Sequence, residues 1–155
     1  MTGYLLDTNV LIAAANGSSP VLNGHLAAHT NTELFTSAVS WSELYSGALR
    51  MRSEKIAGQY LKVLERLASS TQIEPFTKED AEAAAGLRNH ARHLGCELSL
   101  QDAMIAGQAL SRGFVLVSGN HEAHFELYAD IGLRTMNWLA PLSDLLEEFA
   151  KDPIY

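Results

Sequence analysis

Three carboxylates that lie far apart in the chain stand where chemistry is possible. Asp7 closes the apolar run Tyr4-Leu5-Leu6 and is followed by Thr8 and Asn9. Glu43 lies in Ser42-Glu43-Leu44-Tyr45-Ser46-Gly47-Ala48, and Asp102 in Gln101-Asp102-Ala103-Met104-Ile105-Ala106-Gly107. A fourth polar group, Ser118-Gly119-Asn120-His121-Glu122, follows the apolar stretch Phe114 to Val117. Acids gathered at one site repel each other by ~4 kcal/mol per pair at 4 Å and an effective dielectric near 20, and a divalent cation relieves that repulsion. Each acid also has an ordinary structural explanation. Asp7 can cap a helix, Glu43 can answer Ser40 in a capping box, and Asp102 can sit at the favourable end of a helix dipole. The choice depends on whether the intervening elements carry all of them to one place.

Those elements alternate. Tyr4-Leu5-Leu6 reads as a short buried strand and Val10 to Ala15 as the helix after it, which puts Asp7 at the junction. Gly17-Ser18-Ser19-Pro20 predicts a turn, Val21 to Ala28 a short helix, and Leu34-Phe35-Thr36 a second strand. Ser40 is expected to cap a helix carrying Leu44, Ala48 and Leu49, placing Glu43 in its first turn. A helix from about Ser53 to Leu67 and a weak strand Ile73 to Phe76 follow. Thr77 with Asp80 opens a long helix ending near Gly95, and Ser99 or Leu100 begins the helix that bears Asp102 and stops at Gly113. Phe114 to Ser118, β-branched and flanked by glycines, is the clearest buried strand, Arg134-Thr135-Met136 reads as an edge strand, and Pro141 starts a final helix over Leu142 to Ala150. Strands separated by helices predict a three-layer α/β/α fold around a short parallel sheet of four to five strands. In such sheets ligands bind beyond the carboxyl ends of the strands, where Asp7 and Ser118 fall.

A chain of 155 residues with no linker, repeat or low-complexity segment is expected to form one domain over residues 1–155. No apolar run approaches the ~20 residues needed to cross a bilayer, and the start lacks a secretory signal pattern, so the expectation is a soluble, cytoplasmic protein. Cys96 is the single cysteine, which excludes an internal disulfide and a thiolate cluster. With 11 basic against 18 acidic side chains, the net charge of -7 argues against a protein that holds nucleic acid through a broad basic face. It leaves open nucleic acid as a substrate at a metal site.

The segments Leu6-Asp7-Thr8-Asn9-Val10-Leu11-Ile12, Ser42 to Ala48, Gln101 to Gly107 and Leu116 to Phe125, in this order and spacing, together resemble the PIN-domain ribonucleases. Within that family the likeness is to VapC toxins of toxin–antitoxin modules, extending to Gly132-Leu133-Arg134-Thr135-Met136-Asn137-Trp138. The resemblance implies a Mg²⁺- or Mn²⁺-dependent endoribonuclease acting on tRNA, rRNA or mRNA, with Asp7, Glu43 and Asp102 at the family's first three acidic positions. Hard carboxylate oxygens are the ligands these ions prefer. Asp7 and Asp102 are expected to ligate directly. Glu43 could ligate or hold and deprotonate a water, and Thr8, Asn9 and Ser118 are expected to orient carboxylates or water. The family's fourth acidic position falls on Asn120, followed by Glu122. An Asn there could still accept through its carbonyl, with the loss of a charge.

The resemblance further implies a cognate antitoxin, a homodimer and an RNA substrate, for whose backbone the run Arg50, Arg52 and Lys55 offers charge. A second reading is a PIN-fold protein weakened in catalysis that acts by binding partner or RNA, with Asn120 as its first sign. A haloacid-dehalogenase type of phosphotransfer at Asp7 is disfavoured because position 9 is Asn rather than a second carboxylate. His90 and His93, three apart, could share a metal, but between Arg88 and Arg92 they fit a solvated helix face better.

Overall fold

The computed structural model describes residues 2–17 and 19–139; the expected helix over Leu142 to Ala150 lies outside the described residues. Five strands form one sheet in the order β3-β2-β1-β4-β5: β1 Tyr4–Leu6, β2 Leu34–Ser37, β3 Gln72–Glu74, β4 Val115–Val117 and β5 Arg134–Met136. Every pairing is parallel, and Leu5 stands opposite Phe35 on one side and Leu116 on the other. The chain winds outward from β1 to β3 and then returns to the other side of β1 for β4 and β5. The order therefore reverses between β1 and β4.

Alternation along the strands divides the apolar side chains between two faces. Leu5 and Leu116 point into a core closed by α5 (Lys78–His93), α6 (Leu100–Arg112) and the 3₁₀ segment Phe125–Ile131. Leu6, Leu34 and Val117 point into the other, closed by α1 (Thr8–Asn16), α2 (Pro20–Ala27), α3 (Ala38–Leu49) and α4 (Glu54–Ser70). The expected three layers and parallel sheet are present. Trp138, 1% exposed, plugs the second core, with its indole stacked on the imidazoles of His25 and His29 at 5.1 and 4.9 Å.

Two devices hold α6 against α5 and so fix the height of Asp102. Gly107 lets the helices approach until a Cβ there would lie 2.5 Å from the Ala84 backbone nitrogen. Asp80, 1% exposed, completes the capping box with Thr77 and also accepts from Arg112 Nη2 (3.0 Å), from Arg112 Nε (3.3 Å) and from the Ser111 hydroxyl. Burial alone would raise the Asp80 carboxyl, but the bonds from Arg112, Ser111 and Thr77 outweigh it and hold the group below the ordinary carboxylate range.

Boundaries differ from the sequence expectation at α3 and β3. The cap of α3 is Ser37, whose hydroxyl accepts from the Val39 N–H at 3.1 Å; Ser40 lies inside the helix, fully buried. Two serines three residues apart offer equivalent local caps, and the helix starts at the first because β2 runs without a loop into it. Glu43 is consequently in the second turn, and the Ser40–Glu43 capping box does not form. Strand β3 ends at Glu74 because Pro75 has no N–H to continue the ladder.

Candidate metal-binding site at the carboxyl edge of the sheet

Asp7 occupies the crevice where the strand order reverses. Its backbone N–H donates to the Val117 carbonyl at 2.9 Å, extending the β1–β4 ladder by one residue beyond the strand. Its side chain caps α1, with Oδ1 accepting from the Thr8 N–H at 2.7 Å, while Oδ2 accepts from the Ser118 hydroxyl at 2.7 Å. The structural and the chemical placements of Asp7 are thus one geometry: the cap and the Ser118 bond together fix both oxygens. The residue is 5% exposed. Burial raises its carboxyl above the ordinary range, the two hydrogen bonds oppose this, and the negative charges of Asp102 and Glu43 add to it.

Asp102 is the third residue of α6. Ser99 caps that helix through the Asp102 N–H (3.1 Å) and turns its own hydroxyl proton to Asp102 Oδ2 at 2.8 Å. Glu43 reaches the same edge from α3 as an exposed side chain, and Gln101 Nε2 donates to its Oε2. Gln101 is the residue that sequence reasoning missed. Its position next to Asp102 was visible, but nothing in the pattern pairs it with a side chain 58 residues away.

At the fourth position the structure differs in chemistry from the expectation. Asn120 Oδ1 accepts the backbone N–H groups of Glu122 (3.1 Å) and Ala123 (3.3 Å), an Asx turn that consumes the carbonyl. The amide nitrogen is what remains, and it faces Asp102 Oδ1 at 3.5 Å. Asn120 therefore presents a donor to the acids instead of an acceptor. The Glu122 side chain is exposed, and only its backbone N–H takes part in the turn. Ser118 joins the two sides, donating to Asp7 while its oxygen accepts the Asn120 N–H at 3.0 Å.

The donor set suits a hard divalent cation in kind. Thr8 Oγ1 and Asn9 Oδ1, in the first turn of α1 beside Asp7, are buried without a partner among the described residues, as oxygens that bond an ion's water shell would be. Among the described residues no three His, Cys, Asp or Glu side chains are drawn into a closed three-ligand cage. The acids share the edge and its electrostatics, with Glu43 on the outside. Beyond it, an open cleft of about 740 Å³ lies between α3 and α6, with Glu43, Arg50, Phe76, Leu100, Gln101 and Met104 among its walls. Arg50, at the end of α3, shares that cleft with Glu43. His90, 3.6 Å from Asp130, and His93, bonded to the Asn89 carbonyl, line a separate recess with Leu110 and Ile131.

A PIN-domain family model matches residues 4–130. The tRNA(fMet)-specific endonuclease VapC of Shigella flexneri is 27% identical over 138 residues, covering 89% of this chain and 99% of that protein. Among solved structures, the DNA-bound VapBC from Salmonella typhimurium is similar with a TM-score of 0.77 at 25% identity, covering 89% of this chain and 99% of that one. VapBC2 from Rickettsia felis bound to a promoter DNA fragment has a TM-score of 0.72 at 24% identity, covering 87% and 98%. Among the described residues no helix is long and apolar enough to cross a membrane.

Proposed function

The chain belongs to the PIN-domain family, and from that premise we propose that it is a Mg²⁺- or Mn²⁺-dependent endoribonuclease and the toxin of a toxin–antitoxin pair, working as one domain. The observation that carries the proposal is the state of Asp7. A carboxylate buried at the switch point of a parallel sheet, with two further acids adding to its charge, is a site that gains from a cation and from little else.

In this reading Asp7 and Asp102 hold the ion, and Glu43 either completes the ligand set or takes the proton from the attacking water. When bound, the ion supplies Lewis acidity, making water a stronger nucleophile and countering charge on the scissile phosphate. Ser118 keeps Asp7 ionisable in a buried setting by donating to Oδ2, and Thr8 and Asn9 offer buried oxygens that orient water. Asn120 donates towards Asp102 and steers that carboxylate without adding charge. Arg50 draws the RNA backbone along the cleft towards the acids.

The similarity to the Shigella endonuclease and the Salmonella complex supports RNA as the substrate class, tRNA as the first to test, and an antitoxin as the partner. A homodimer is part of the same reading. Cleavage of a panel of tRNAs and rRNA fragments with and without Mn²⁺ tests it: Asp7→Asn and Asp102→Asn should fold and lose metal-dependent cutting. A folded Asp7→Asn protein that cleaves at the parent rate defeats it. A second reading, a binding protein weakened in catalysis, is favoured by the donor that Asn120 presents at the fourth acidic position. That protein would show no gain in melting temperature with Mn²⁺.

A further inference from the structure

Two of the three acids are anchored from their own element. Asp7 is fixed by the Thr8 N–H at the head of α1, and Asp102 by the Ser99 hydroxyl that caps α6. Among the described residues Glu43 has no such anchor on α3. Placed in the second turn of α3 and exposed, it carries rotatable bonds whose freedom costs up to ~2 kcal/mol to freeze. Among the described residues, the bond to its carboxylate comes from across the edge, from Gln101 Nε2 on α6.

We infer that Gln101 is a positioning residue that holds the Glu43 carboxylate beside Asp102, so that an acid from α3 is presented together with the acid from α6. The inference rests on the metal-dependent reading above. Gln101 and Asp102 are the second and third residues of α6, so a carboxylate tethered to Gln101 is held at the first turn of the helix that carries Asp102, and the charges of both acids reach Asp7. The tether also sets Glu43 against the positive end of the α6 dipole. The chemistry of the tether matters as much as its place. A carboxylate can only accept, so the amide nitrogen must face it, and an amide donates without bringing charge. Lysine or arginine at position 101 would pair with Glu43 and cancel the charge a cation needs; serine would be too short to span the edge. Neutral donors recur across the site, with Ser118 on Asp7 and with Ser99 and Asn120 on Asp102. Each directs a carboxylate while leaving its charge in place. Gln101 is the member of that set that joins two helices, and it lines the cleft next to Glu43.

The test is Mn²⁺ binding by calorimetry to the full chain, in the parent, Gln101→Ala, Glu43→Ala and the double variant. Gln101→Ala should bind Mn²⁺ about 10–100-fold more weakly, the usual loss when a group orienting a metal ligand is removed. In the Glu43→Ala background the same change should alter affinity less than about twofold, because Gln101 acts through Glu43. Metal-free melting of Gln101→Ala should match the parent, as expected for a solvent-facing pair. In the metal-free protein the Gln101 side-chain amide resonances should shift on Glu43→Ala. Parent-like Mn²⁺ affinity in Gln101→Ala, an equal loss in both backgrounds, a large fall in metal-free melting, or an unmoved amide resonance each overturns the inference. A parent protein that binds no Mn²⁺ overturns the metal-dependent reading and the inference with it. Tight parent binding alongside an unaffected Gln101→Ala overturns the inference alone.

Discussion

Replacing Asp7 by Asn should make the metal-free protein more stable while removing its response to metal. The side-chain oxygen of Asn can still accept the Thr8 N–H, since Asn caps helices as well as Asp, and the Ser118 hydroxyl can rotate to accept from the new amide. What is lost is charge. Two charge-assisted bonds of about 1.5–3 kcal/mol each fall to about 0.5–1.5, a loss of roughly 2–3 kcal/mol in total. Against this, a buried carboxylate no longer has to be desolvated, at a cost of several kcal/mol, and repulsion from Asp102 and Glu43 disappears; a like charge about 8 Å away costs about 2 kcal/mol at an effective dielectric of 20. Since Asp7 is held above the ordinary carboxylate range, the balance runs against the charge. A net gain of about 1–2 kcal/mol raises the melting temperature of a domain this size by roughly 3–6 °C. The fold keeps the Asp7 proton to a higher pH than the unfolded chain does. The charge therefore costs stability above the ordinary carboxylate range, and the cost vanishes as pH falls below it. Melting curves at pH 7.5 and pH 4, with and without Mn²⁺, should show Asp7→Asn above the parent at pH 7.5, level with it at pH 4, and indifferent to Mn²⁺, while the parent gains from the ion. An Asn variant less stable than the parent at both pH values would mean that the Asp7 charge is favourable where it lies, and the electrostatic argument would fail.

Three further expectations concern the frame that holds the acids. Asp80→Ala removes one of the two carboxylates on Arg112, leaving Glu74, and opens the Thr77 capping box, and should cost about 1–3 kcal/mol by urea unfolding. Because the Asp80 carboxyl is lowered in the fold, the parent's advantage over Asp80→Asn should hold at neutral pH and shrink as pH falls through the folded value, which acid titration of stability will read. Gly107→Ala drives a methyl into the Ala84 backbone and should cost about 1–3 kcal/mol by denaturation, yet leave the Mn²⁺-induced gain in melting temperature in place. Trp138→Ala empties the space beside His25 and His29 in the second core and should cost about 3–5 kcal/mol in the same assay.

Most of the frame was legible because it is written locally. The Thr77–Asp80 capping box, Gly113 after α6 and the apolar run of β4 each announce an element within a few residues, and the alternation of strands and helices then dictates a parallel sheet. The placement of Asp7 at a strand end followed from the same reading. Other features need information from across the fold. Ser37 and Ser40 are equal as local caps, and the run of β2 straight into the helix at Ser37 decides between them. The 3₁₀ segment Phe125–Ile131 buries Phe125 and Tyr128, three apart, which is too short a stripe to signal a helix. The Gln101–Glu43 bond joins residues with no shared pattern. At Asn120 the residue type was read as an acceptor with one charge missing, but an Asx turn two and three residues on takes the carbonyl and leaves the donor. Residue type alone carries no statement about which end of an amide faces the site.

The strand order has a consequence for when the site comes into being. The bond from Ser118 to Asp7 closes a loop of 111 residues, and β1 meets β4 only after α5 and α6 have been made. During synthesis, β1 can pair with β2 early, but a nascent chain that has not reached β4 has Asp7 without Ser118 and Asp102 without Asn120. For a protein proposed to cut RNA, this means that the ribosome making it is exposed to no assembled cutting edge until β4 has emerged. The interval in which a partner must be ready to restrain it begins at the emergence of β4.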